Sequence, residues 1–212
     1  MKPLYIIGTN GFAKEVGQLA GLINAVQSRW SRIEYLAENK SNIGVDFPYG
    51  QVTGTDELLN REDEADIVIG IGRPKIRQRI AEAILARPWL SVPNLIHPKS
   101  EIDPKWVQLG KGNILTSGTV FTCDITIGDF NVFNLNCTIG HDVHVGSYSV
   151  INPGCNISGG VSLGDRCLVG TGVQVLENLS IVSDTTVGAG ALVSKSITEP
   201  AIYVGIPAKP LK

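Results

Sequence analysis

The sequence predicts two architectures in one chain of 212 residues: a small Rossmann-like α/β domain, then a parallel β-helix. Three observations predict them. From Leu109 to Thr198 a large apolar residue recurs every six positions, with no slip in phase. Seven of the fifteen blocks place glycine directly after it, and the fifth position is mostly small or apolar. Before residue 90 the rule changes, and short apolar runs alternate with helical stretches. A helix repeats its apolar face every three or four residues and a half-buried strand every two, so neither sustains a period of six. Six is the period of a coil whose short strands stack rung on rung over one continuous core.

The first half reads in order. Leu4–Ile7 is a short apolar strand, closed by Gly8-Thr9-Asn10-Gly11 and followed by a helical pattern from Phe12 to Val26. A second strand, Arg32–Leu36, runs into the polar pair Glu38-Asn39, and a turn-rich segment leads to a short capped helix at Thr55–Leu59. Ala65–Ile71 is a third buried strand, closed by Gly72-Arg73-Pro74, and Lys75–Ala86 is again helical. Strand alternating with helix implies a small parallel sheet with flanking helices. Pro88, Pro93 and Pro98 mark a hinge, which sets the expected domains at 1–90 and 91–212.

A glycine turn from strand into helix presents free backbone N–H groups and the positive end of a helix dipole. The spacing here is G-x-x-G-x-A rather than the dinucleotide G-x-G-x-x-G, so a phosphate cradle and a plain tight turn read equally well. Glu38-Asn39 stands where a nucleotide's ribose or base is usually held, or forms a solvated turn.

In the repeat, Cys137, Cys155 and Cys167 occupy the inward fifth position and are expected as core filler rather than metal or redox groups. Cys123 falls at a corner. Of the three histidines, His97 lies in the linker, and His144 closes its block on the outside of a strand. His141 stands at a corner with Asp142 beside it. A carboxylate on one ring nitrogen fixes the tautomer and raises the basicity of the other, although an exposed corner histidine is the plainer alternative. Eighteen residues on, one rung further along the same column, come Gly159 and Gly160. Rungs lie about 4.8 Å apart. A glycine N–H at that distance can stabilise an oxyanion while the imidazole handles a proton.

The formal net charge of −2 gives no electrostatic case for nucleic acid or an anionic membrane surface. No apolar run reaches a membrane span, and the N-terminus lacks a signal-peptide pattern, so the expected location is the cytoplasm. No metal is expected.

The hexads, the histidine–aspartate pair in its Asn136–Asp142 context and the tail Ala191–Lys195 with Val204–Lys209 resemble the left-handed β-helix acyltransferases of the hexapeptide-repeat class. The first domain, with Gly8-Thr-Asn-Gly11-Phe-Ala-Lys-Glu-Val16, narrows the resemblance to sugar O- or N-acyltransferases, the group of the bacillosamine-pathway N-acetyltransferases and the sialic acid O-acetyltransferases. The resemblance implies left-handed coiling, acetyl-CoA as cosubstrate, a homotrimer, and a nucleotide-activated amino sugar as acceptor. It implies that His141 is the base, Asp142 its partner, and Gly159 the oxyanion donor and first contact of the thioester. Gly170, Gly188, Lys195, Gly205, Pro207 and Lys209 would line the CoA groove. Gly8, Asn10 and Gly11 would hold a pyrophosphate and Glu38 the base, with Gly72 and Arg73 completing the substrate set. The resulting reading is direct N-acetylation of a 4-amino-4,6-dideoxy sugar nucleotide, with UDP, dTDP and GDP all open. Its rivals are O-acetylation of the sialic acid kind and a non-catalytic nucleotide-sugar-binding β-helix.

Overall fold

The structure, a computed structural model, describes residues 1–211 and divides into two compact units. One comprises Met1–Gly72 with Ile76–Pro98; the other comprises Arg73–Lys75 with the chain from Lys99 onward. The architecture is the expected one, a Rossmann-like α/β domain and a left-handed parallel β-helix.

In the first unit β1 (Leu4–Ile7) is central, flanked by α1 (Gly11–Gln27) in sequence. β2 (Ile33–Ala37), β3 (Asp46–Phe47), β4 (Gly50–Thr55), β5 (Ala65–Ile69), α2 (Pro74–Leu85) and β6 (Leu90–Ser91) follow. The sheet order is β3-β4-β2-β1-β5-β6. β5 is buried along its whole length and is apolar apart from Asp66, while β1 is buried at alternate residues. α1 buries Ala13, Val16, Leu19, Ala20 and Ile23, a helical stripe that drives its docking. At the opposite end of the sheet from the glycine turn, Asp66 is held by the Trp30 indole N–H at 2.7 Å and Lys2 at 2.8 Å.

Three elements depart from the expectation. The turn-rich stretch after β2 contains the β3–β4 hairpin, whose second strand pairs parallel with β2. Its sequence, Gln-Val-Thr-Gly-Thr, lacks the apolar alternation that announces a strand, and tertiary pairing supplies the order instead. The short helix after Thr55 is 3-10, Asp56–Arg61, and Thr55 makes no side-chain cap. The proline-rich stretch contributes β6, paired with β5, rather than serving only as a hinge.

In the second unit each six-residue block places a two- or three-residue strand where its last position meets the next block's first. Successive strands go in turn to three parallel sheets, so each strand pairs with the one 18 residues away, as Thr138–Ile139 does with Asn156–Ile157. Every block-opening residue from Leu115 to Val193 is buried, each contributing roughly 1.5–3 kcal/mol. The fifth position is buried too except at Leu179, and it includes Cys137, Cys155 and Cys167, as expected. Burial pushes the Cys167 thiol up to about 11, and Cys137 is also raised, first by its hydrogen bond with Cys155 and then by burial. Such thiols are poor nucleophiles at neutral pH. The fourth position of the corners takes positive φ from Gly112 to Gly190, at Asn136, Asp142 and Asn178 among others. Glycine, asparagine and aspartate accept that left-handed backbone most readily, so this column of the repeat is what turns the chain at each corner.

The C-terminal segment extends one sheet beyond its last coil strand. Ile202–Val204 pairs parallel with Thr186–Val187 and forms a hairpin with Lys209–Pro210.

Candidate active site

His141 lies on the corner joining the strand Thr138–Ile139 to the strand His144–Val145. Asp142, the fourth residue of its block, has φ 58°. That left-handed turn lets two consecutive side chains converge: His141 Nδ1 and Asp142 Oδ2 are 2.7 Å apart. Both side chains are 66% exposed, so the imidazole stands at the edge of the coil and not inside it. The Asp142 backbone N–H donates to the Cys123 carbonyl one rung before, at 3.1 Å, and this bond holds the turn. Cys123 therefore shares the His141 column as a backbone anchor, which corner position alone had not revealed.

Gly159 is one rung beyond, and its missing side chain makes room for the ring. A Cβ built there would lie 2.6 Å from both Cε1 and Nε2 of His141. At Gly140 a Cβ would meet the Gly159 backbone nitrogen at 2.7 Å, so two glycines permit the close approach of adjacent rungs. The next backbone N–H, at Gly160, donates to the His141 carbonyl at 2.8 Å, while the Gly159 N–H pairs with no acceptor among the described residues. On another corner the equivalent N–H groups are capped by side chains of the next rung: Lys111 by Asp129, Asp129 by Ser147, and Ser147 by Asp165. The His141 corner thus combines an oriented imidazole with an uncommitted donor.

Two troughs flank this corner. One, of about 220 Å³, runs over Thr122, Thr138, Gly140, Asn156 and Ser158. The other, of about 540 Å³, lies over His144, Gly146, Ser162, Gly164 and Ser180. His144 is exposed on that second face, as its block position predicts. Lys195 follows the strand Leu192–Val193 on the His141 edge, three rungs or about 14 Å along the coil. Gly170 and Gly188 share a different edge, across the first trough's face. Gly188 donates to the Tyr203 carbonyl at 2.7 Å, and Leu192 donates to the Gly205 carbonyl, so Gly188 and Gly205 belong to the docking of the C-terminal hairpin. Pro207 and Lys209 are exposed on that hairpin.

The sheet order of the first unit reverses direction at β1: the chain proceeds to β2 on one side and β5 on the other. Ligands of such sheets bind at this crossing, beyond the carboxyl ends of the strands. Gly8, Asn10 and Gly11 follow β1, Gly72 follows β5, and Glu38 follows β2, exposed. Gly8 has φ 116°, and a Cβ there would lie 3.1 Å from the Gly70 carbonyl, so the turn requires glycine on both counts. Asn10 precedes α1 without capping it through its side chain, which leaves the helix's first N–H groups open. Arg73 is exposed immediately before α2. Among the described residues no group of three or more His, Cys, Asp or Glu side chains could hold a metal ion, and no helix is long and apolar enough to cross a membrane.

Comparison with known proteins places the fold among solved relatives. Over its whole length the chain is similar in fold to a class of solved enzymes, sugar N-acetyltransferases built on a β-helix. More narrowly, residues 3–84 match the family model described as PglD N-terminal domain. The acetyltransferase domain of PglB from Neisseria gonorrhoeae FA1090 is similar over 100% of both chains, with 28% identity and a TM-score of 0.91. The same domain in complex with acetyl coenzyme A matches at 29% identity and TM-score 0.91, over 99% of each chain. PerB from Caulobacter crescentus, in complex with CoA and GDP-perosamine, matches at 27% identity and TM-score 0.89, over 100% of this chain and 98% of its own. A search of curated protein sequences gives no match.

Proposed function

We propose that the protein is an acetyl-CoA-dependent N-acetyltransferase acting on the amino group of a nucleotide-activated amino sugar, with a 4-amino-4,6-dideoxy sugar as the acceptor. The observation that carries this reading is the His141–Asp142 pair at an exposed corner, beside an unpaired Gly159 N–H. The full-length likeness to enzymes solved with acetyl coenzyme A and with GDP-perosamine supports it.

Asp142 accepts a hydrogen bond from Nδ1–H of His141 and so leaves Nε2 as the basic nitrogen. Nε2 takes a proton from the sugar amine as its nitrogen forms the new C–N bond to the acetyl carbonyl carbon. The Gly159 N–H donates to the carbonyl oxygen as negative charge builds there. As the C–S bond of acetyl-CoA breaks, the thiolate leaves and takes the proton held on Nε2 to become free CoA thiol, so the acetyl passes directly to nitrogen with no acyl-enzyme. The CoA chain is read as lying along the His141 edge toward Lys195, with Gly170 and the C-terminal hairpin that covers Gly188 facing it from a neighbouring copy in a homotrimer. The first unit's crossing takes the nucleotide: Gly8, Asn10 and Gly11 at the diphosphate, Glu38 at the base, and Gly72 at the sugar side. The setting is the cytoplasm.

The test is a panel of UDP-, dTDP- and GDP-linked amino sugars and their hydroxy counterparts with acetyl-CoA, read as free thiol. Turnover on an amino sugar nucleotide is expected. Turnover confined to hydroxy sugars would select O-acetylation, and absence of CoA binding by calorimetry would select a binding protein.

A further inference from the structure

Among the described residues Arg77 is the largest fully buried side chain, at 0% exposure, and lies in the first turn of α2. Its Nη1 donates to two backbone carbonyls, Ile69 at 2.8 Å and Ile71 at 3.0 Å. Ile69 ends β5, and Gly70 lies between the two acceptors. One guanidinium nitrogen thus straddles the start of the loop that leads from β5 to Gly72.

That loop is one wall of the crossing between β1 and β5. It meets the other wall backbone to backbone. Gly70 N–H donates to the Ile7 carbonyl at 2.9 Å, a Cβ at Gly70 would lie 2.8 Å from Ala13 Cα, and a Cβ at Gly8 would lie 3.1 Å from the Gly70 carbonyl. With no side chain between them, the course of Ile69–Gly72 and the Gly8–Gly11 turn are coupled at van der Waals distance. Arg77 grips this coupled pair from the helix side. Burial is costly for a guanidinium and lowers its pKa to about 9. An apolar residue at this first-turn position would fill the core without that cost.

We infer that Arg77 is a positioning residue for nucleotide recognition: it fixes the Ile69–Gly72 loop against the Gly8–Gly11 turn so that their backbone groups meet a nucleoside diphosphate in one geometry. The inference rests on the proposed use of this crossing by a nucleotide sugar. Arg77 touches no ligand. It acts through the backbone it holds, and a shift of the loop translates into weaker nucleotide binding without changing the His141 corner.

The test uses the full chain with Arg77→Met and Arg77→Lys. Calorimetry gives Kd for UDP, GDP, dTDP and CoA, steady-state kinetics give both KM values and kcat, and thermal unfolding reports folding. Arg77→Met is expected to weaken nucleotide binding and raise KM for the nucleotide sugar about tenfold, the loss of hydrogen bonds from a charged donor. KM for acetyl-CoA and Kd for CoA stay within twofold, and Arg77→Lys, which keeps one charged donor, recovers part of the affinity. A folded Arg77→Met with unchanged nucleotide Kd overturns the inference, as does an equal rise in both KM values. If Arg77→Met fails to fold, Arg77→Lys decides alone: a selective threefold loss of nucleotide affinity upholds the inference, and none overturns it. Failure of the wild-type protein to bind any of the three nucleotides is a different result, which removes the proposed function and this inference with it.

Discussion

Replacing Gly159 with alanine adds one methyl group at the point where two rungs and an imidazole meet. Gly159 does not adopt positive φ, so alanine brings no backbone strain there. The new Cβ would lie 2.6 Å from Cε1 and Nε2 of His141 and 3.0 Å from Nδ1, where ordinary contact begins at 3.4 Å. The ring must retreat by about 1 Å. Because it is 66% exposed, it can swing into solvent, so the fold changes by less than about 1 kcal/mol. Catalysis has no such freedom. A displacement of about 1 Å from the productive geometry costs on the order of a hundredfold, or about 2.7 kcal/mol of barrier. Thiol release with the preferred sugar nucleotide should show kcat lowered about a hundredfold, with the melting temperature and the Kd for the nucleotide close to wild type. A Gly159→Ala protein with kcat within threefold of wild type would refute the reasoning, since the ring would have moved without consequence.

His141→Ala should lower kcat about 10²- to 10⁴-fold, the range for losing a general base, while calorimetric CoA affinity stays largely intact. The pH dependence of stability offers a separate check at the corner bearing Arg166 and Asp184, whose side chains pair at 3.0 and 2.8 Å. The Arg166 hydrogen bond holds the Asp184 carboxyl below its ordinary value of 3.8, so its contribution is present above that value and disappears as pH falls through the depressed one. Arg166→Gln should therefore unfold more readily than wild type at pH 6 in urea, by up to about 1 kcal/mol for a partly exposed pair, and the two curves should converge near pH 2.

The coil was legible because each rung repeats the same steric demands: the first and fifth positions must enter the core, and the strand between them must be short. The fourth position carried an equally regular signal, since Asn136, Asp142, Asn178 and several glycines accept left-handed backbone there. Phe130, Tyr148 and Arg166 adopt the same conformation and hide it, because their rings and charges are chosen by neighbours one rung away: Phe130 stacks on Tyr148 at 5.8 Å, and Arg166 pairs with Asp184. The β3–β4 hairpin escaped because its order comes from pairing with β2, not from its own composition. Of the candidate site, the His141–Asp142–Gly159 grouping follows from counting by eighteen. The structure adds the 2.7 Å contact, the uncapped N–H and the place of Lys195 in the same column. Arg77 gave no signal, since one arginine in an amphipathic helix reads as surface until the fold buries it.

A coil of this kind can change length only in whole turns. Removing or inserting eighteen residues between Gly160 and Lys195 would leave the imidazole, its carboxylate and the glycine donor undisturbed, yet slide the terminal lysines by one step of about 4.8 Å. On the proposed placement of CoA, the reach from the reacting carbonyl to those lysines is therefore quantised. A scaffold of this design can be retuned to longer or shorter thioester carriers by counting turns, with the chemistry held at a fixed address.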